Sequence, residues 1–121
     1  RKAVARQAAI RRWIRARFGG PNFQALGFPG GEIVDQGLAD LANSNETRHS
    51  LAVAIAAPRL VREDVPLPRV PLPKDPNWKL YRILVDEAPG LGHARYLATL
   101  ERLESFANMC ALFHEREGKY A

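Results

Sequence analysis

Between Leu91 and Glu117 the chain reads LGHARYLATLERLESFANMCALFHERE. Tyr96, Leu100, Leu103, Ala107, Cys110 and His114 recur there at spacings that alternate between four and three. That rhythm is the seam of one amphipathic helix of about seven turns. A helix of this length dictates the rest, because shorter elements must pack along it as on a wall. Nothing elsewhere alternates with period two over a useful length, so no sheet is expected. The fold class is all-α: a small irregular helical bundle of four to five helices, with a C-terminal helical hairpin and an extended Pro-rich connector.

The hairpin is read from WKLYRILVDEA, residues 78–88, where Leu80, Ile83 and Leu84 form a stripe flanked by Trp78, Tyr81 and Val85. Asp75 or Asn77 is the expected cap, and Pro89, Gly90 and Gly92 make the turn into the long helix. Just before it, VPLPR is followed directly by VPLPK, so residues 65–76 hold five prolines in twelve positions. Such a run excludes a helix or a central strand and forces an extended strap, with Val65, Leu67, Val70 and Leu72 partly packed. Pro68–Pro71 and Pro73–Pro76 match PxxP, but the basic residues are not spaced for a good SH3 ligand.

Two further helices are expected between residue 31 and the strap. Residues 32–42 carry Ile33, Val34, Leu38 and Leu41 on one face, weakened by Gly37 at about 1 kcal/mol relative to alanine. Asn43 or Ser44 would cap the next helix, with Glu46 and Thr47 in its first turn; Pro58 would end or kink it after Ala57, with room for one more turn over Arg59 to Asp64. Gly19 to Gly31, with five glycines and two prolines, reads as a loop anchored by Phe23 and Phe28. It lacks the order of a phosphate-binding loop.

The length suits one domain, residues 19–121, preceded by a basic N-terminal helix or arm, residues 1–18. Charge is what sets that arm apart. Arg1, Lys2, Arg6, Arg11, Arg12, Arg15 and Arg17 all precede the first acid, Glu32. With 18 basic and 13 acidic residues in all, the remainder has 11 cations against 13 anions, a net of −2. Val4, Ile10, Trp13, Ile14 and Phe18 share a broad apolar face in the same segment. Such asymmetry points to nucleic acid or an acidic protein as the partner of residues 1–17.

Around residues 106–113, FANMCALF, the long helix turns apolar nearly all round. Phe106, Met109, Leu112 and Phe113 are therefore the expected interface, covered by the first helix, by the 18–31 loop or by a second subunit in a homodimer. No constellation recommends an enzyme. Glu46 and His49 form a single Glu-x-x-His where carboxylate-bridged metal sites need two. Ser50 beside His49 is no triad, and Glu101 and Glu104 read as a solvated flank. The single cysteine, Cys110, forms no internal disulfide and reads as a small core residue.

The expected function is thus a non-enzymatic binding or assembly protein without metal or cofactor. Its basic helix would contact a polyanion, and its helical body would act as platform. The alternative is a protein–protein adaptor, or subunit of a larger complex, using the apolar C-terminal face and the strap. With no spanning segment or visible signal peptide, the expected location is cytoplasmic, although the chain starts at Arg1 rather than Met and an upstream segment is compatible with that.

Overall fold

The computed structural model describes residues 22–120, and side chains as far as Arg116. Four helices account for most of this span, and no strand occurs among the described residues. They are α1 (Gly31–Ala42), α2 (Arg48–Arg62), α3 (Pro76–Glu87) and α4 (Gly92–Tyr120). The expected helix over residues 1–18 lies outside the described residues.

The central element is α2, not the long helix. It packs against α1, α3 and α4, whereas α4 packs chiefly on α2 and α3. Its composition explains this. Leu51, Ala52, Val53, Ala54, Ala57 and Leu60 are all buried, so α2 shows apolar surface on more than one side. Small residues among them let neighbouring helices approach. The closest approach is to α1: a Cβ on Gly37 would come within 3.0 Å of both Val53 Cγ2 and the His49 carbonyl oxygen. The missing side chain at Gly37 is thus a packing requirement, and it offsets the weak helix propensity.

The start of α2 differs from the sequence expectation. The cap is Thr47, not Asn43 or Ser44, and the helix starts at Arg48, so Glu46 and Thr47 precede its first turn. Thr47 Oγ1 accepts the Ser50 backbone N–H at 3.1 Å, and Ser50 Oγ accepts the Thr47 N–H at 2.7 Å. Thr47 also donates its hydroxyl to Asp40 Oδ2 at 2.6 Å, which ties the cap to α1. This reciprocal pair satisfies two amide donors that the Asn-Ser-Asn run cannot reach. At the other end the helix runs through Pro58 to Arg62. An interior proline removes one backbone hydrogen bond and costs about 3 kcal/mol. Pro58 is exposed, while Leu60 is fully buried and Val65 nearly so just beyond it. Burial of two such side chains, at about 1.5–3 kcal/mol each, offsets that loss.

From Val65 to Asp75 the chain forms neither helix nor strand and bends at residues 69–70 and again at 74–75, where Asp75 takes a left-handed backbone. Val65 is core, Leu67 and Val70 pack against it, and Leu72 stays 42% exposed. The strap therefore carries the chain from the end of α2 to the start of α3. Asp75 occupies the cap position of α3 without a side-chain hydrogen bond, and Pro76 opens the helix where its missing N–H costs nothing. Asn77, the other expected cap, instead donates to Tyr96 Oη at 2.9 Å and ties α3 to α4.

The α3–α4 pair forms the expected hairpin through the turn at Pro89–Leu91. Along the seam of α4, Leu103, Ala107, Cys110 and His114 are buried, and Tyr96 and Leu100 are half-buried. The core thus lies against the middle of α4, from Leu103 to His114, with Tyr96 and Leu100 packed at its margin.

Candidate functional site

Arg1, Lys2, Arg6, Arg11, Arg12, Arg15 and Arg17 lie outside the described residues. The other expected site, on α4, is partly closed by the chain itself. Phe106 is fully buried, with Phe23 edge-on at 4.9 Å and Phe28 at 5.9 Å between ring centroids. Phe113 is half-buried and 6.3 Å from Phe28. The loop is pinned there by Asp35 of α1, whose carboxylate accepts the Phe23 and Gln24 amides at 2.9 and 3.0 Å. Phe106 is therefore core rather than interface, because the 22–30 loop supplies the aromatic cover. Met109 is half-buried, and Leu112 remains 47% exposed among the described residues.

The titratable residues singled out from the sequence do not converge. Glu46 sits ahead of the Thr47 cap and pairs with Lys79 at 3.0 Å, so Glu46 and His49 do not share a helix face. No group of three His, Cys, Asp or Glu side chains is placed to hold a metal among the described residues. His114 is buried, with Nε2 at 2.5 Å from the Glu63 carbonyl oxygen and no partner for Nδ1 among those residues. It joins the end of α4 to the start of the strap. Burial pushes the Cys110 thiol up to about 12, with Glu63 adding to the rise and Arg59 opposing it. The thiol is the protonated, poorly nucleophilic form at neutral pH.

Two arrangements were not legible in the sequence. The first is an aromatic ledge where the first turns of α3 and of α4 meet. Trp78 and Tyr81 stack, with centroids 6.3 Å apart and planes 15° from parallel. Tyr81 meets Tyr96 edge-on at 5.3 Å and His93 at 5.9 Å. Trp78 stays 61% exposed, and the exposed Arg82 follows it one turn along α3. The available signal was a matched pair of i, i+3 aromatic spacings, Trp78–Tyr81 and His93–Tyr96, on either side of the turn.

The second is a cleft of about 370 Å³ lined from all four helices. Its floor is Ala52, Leu80 and Leu84, all buried, with Ile33 beside them. Arg48, His49, Arg95 and Arg102 stand around it with Ala98 and Thr99. Arg48 pairs with Glu87 at 2.8 Å, and Arg102 pairs with Glu32. Arg95 has no ion pair or side-chain hydrogen bond among the described residues. Thr99 Oγ1 donates to the Arg95 carbonyl at 2.9 Å.

No protein-family model matches the chain, and no curated protein or solved structure is significantly similar to it. No helix among the described residues is long and apolar enough to cross a membrane.

Proposed function

We propose that this protein is a non-enzymatic binding or assembly protein whose basic segment, residues 1–17, engages nucleic acid, with the helical body as platform. The observation that carries the reading is the charge asymmetry: seven cations precede the first acid, while the remainder has a net charge of −2. Lysine and arginine that neutralise phosphates release counterions, which gives affinity that falls steeply with salt. The exposed Trp78, stacked on Tyr81, supports the reading with a surface on which an unpaired base can stack. Replacing Arg11, Arg12 and Arg15 together with glutamine should weaken binding to single-stranded RNA and reduce the slope of log affinity against log salt by about two. Fluorescence titration at several salt concentrations reads this. A wild-type protein with no measurable binding at low salt defeats the proposal.

A second reading, an adaptor or self-associating subunit, is favoured by Leu112, exposed between the half-buried Met109 and Phe113 on one end of α4. Polar replacements at Met109 and Leu112 should then give a folded monomer from an associating wild type, as read by sedimentation. A wild type that is monomeric at high concentration removes this reading.

A further inference from the structure

The four-helix cleft goes beyond the reading above, because it involves neither residues 1–17 nor the aromatic ledge. Here a hollow of about 370 Å³ opens over side chains that are themselves almost fully buried. It exists because α1 meets α4 at its N-terminal end. There Gly30, at φ 74°, leaves a place where a Cβ would be 2.7 Å from the Arg102 carbonyl oxygen. Further along, Ala52 and Ala98 line the space with side chains too short to fill it. The volume falls in the lower part of the range that holds small molecules.

The charges decide what kind of molecule. Glu87 balances Arg48, and Glu32 balances Arg102. That leaves Arg95 as one guanidinium with no counter-charge among the described residues, set over an apolar floor. The bland alternative is an arginine whose stem covers hydrocarbon while its head is solvated. A covering stem does not account for an open hollow beneath three guanidiniums. We propose that this cleft binds a small organic anion, its hydrocarbon body on Ala52, Leu80 and Leu84 and its carboxylate or phosphate on the fork of Arg95. Guanidinium geometry suits either head group through two parallel hydrogen bonds.

The test is a titration of the full chain with 1-naphthoate, 1-naphthyl phosphate, neutral 1-naphthol and inorganic phosphate, followed by backbone amide NMR. At least one naphthyl anion should bind saturably and shift the amides of Ala52, Leu84 and Thr99. Naphthol and inorganic phosphate should each bind about tenfold more weakly, since each lacks one half of the recognition. Binding by naphthoate alone assigns the site to carboxylates, and binding by the ester alone to phosphates. Arg95→Gln should reduce anion binding to the level of naphthol without altering the amide spectrum elsewhere, and Ala98→Phe should fill the hollow and exclude every probe. Lack of saturable binding in the millimolar range overturns the proposal. So does equal binding of naphthol, or full affinity in Arg95→Gln. These probes carry no sugar or base and the variants leave residues 1–17 intact, so failure here is separate from failure of the nucleic-acid reading.

Discussion

The two helix pairs of this protein are built differently. In α1–α2 the backbones meet at Gly37, and nearly every large apolar side chain is enclosed. In α3–α4 only Leu80 and Leu84 of α3 are buried; Gly92 lies against the Val85 backbone beside the turn, and farther from it the partners meet through rings and the Asn77–Tyr96 hydrogen bond. Of the six large hydrophobic residues left exposed among the described residues, Trp78, Leu91, Leu97 and Leu112 belong to this hairpin and its turn. One pair uses its apolar surface for stability, and the other leaves part of it to solvent. Exposed apolar surface that the fold does not need is where a partner gains most by docking.

The largest effect that can test this contrast is at Gly37. Alanine is the better helix former by about 1 kcal/mol, so propensity alone makes Gly37→Ala stabilising. Close approach says the reverse. The new methyl meets Val53 and the His49 carbonyl, and a carbonyl in a helix cannot rotate away. We expect a net loss of about 3 kcal/mol, near the upper end of what overpacking costs. Chemical denaturation measures it, and a gain in stability would mean that the two backbones are not in contact.

That reversal also marks how far the sequence could be read. Gly37 is legible as a local weakness, and its reason lies in Val53 and His49, on another helix. The long helix, the hairpin and the strap were legible because each rests on local signals: a 3.6-residue rhythm, a Pro-Gly turn, a proline run. Whether α2 ends at Pro58 or passes it stays open in the sequence, because burial of Leu60 and Val65 decides it. The ledge and the cleft were hidden for the same reason. Tyr81 meets Tyr96, and Arg95 stands over Leu84, only after hairpin register is set. Phe106 was misplaced because an all-apolar helix turn looks the same whether a loop or a second subunit covers it.

The loop that covers Phe106 offers a smaller effect. Asp35 accepts two amides of that loop, and Asp35→Ala leaves the part-buried Phe23 N–H without its acceptor. A cost of about 1–2 kcal/mol is expected for an amide so exposed to desolvation. Hydrogen exchange at Phe23 and Gln24 should quicken while amides of α2 keep their protection. Loosening the cover also uncovers Phe106, so the variant should associate more strongly than wild type in light scattering. Unchanged exchange at both amides would mean that Phe23 and Phe28 hold the loop by ring packing alone.

The smallest effect on stability is expected at Trp78, and there the contrast between the pairs is sharpest. Trp78 is 61% exposed and its described ring contact is with Tyr81. Trp78→Ala should therefore shift stability by less than about 0.5 kcal/mol, as for a surface position. If bases stack on the ledge, the same change should weaken single-stranded RNA binding by about 1–3 kcal/mol. Measured with Trp13→Phe as the parent, RNA should also quench the remaining tryptophan emission, because Trp78 is then the sole source of that signal. Salt dependence separates the contributions: losing a stacking ring lowers affinity at every salt concentration by the same factor, whereas losing cations from residues 1–17 changes the slope. A Trp78→Ala protein that unfolds more easily by several kcal/mol would place this ring in the core and end the distinction between a packed pair and an exposed one. A protein of full stability and full RNA affinity would leave the hairpin's apolar surface to a partner other than nucleic acid.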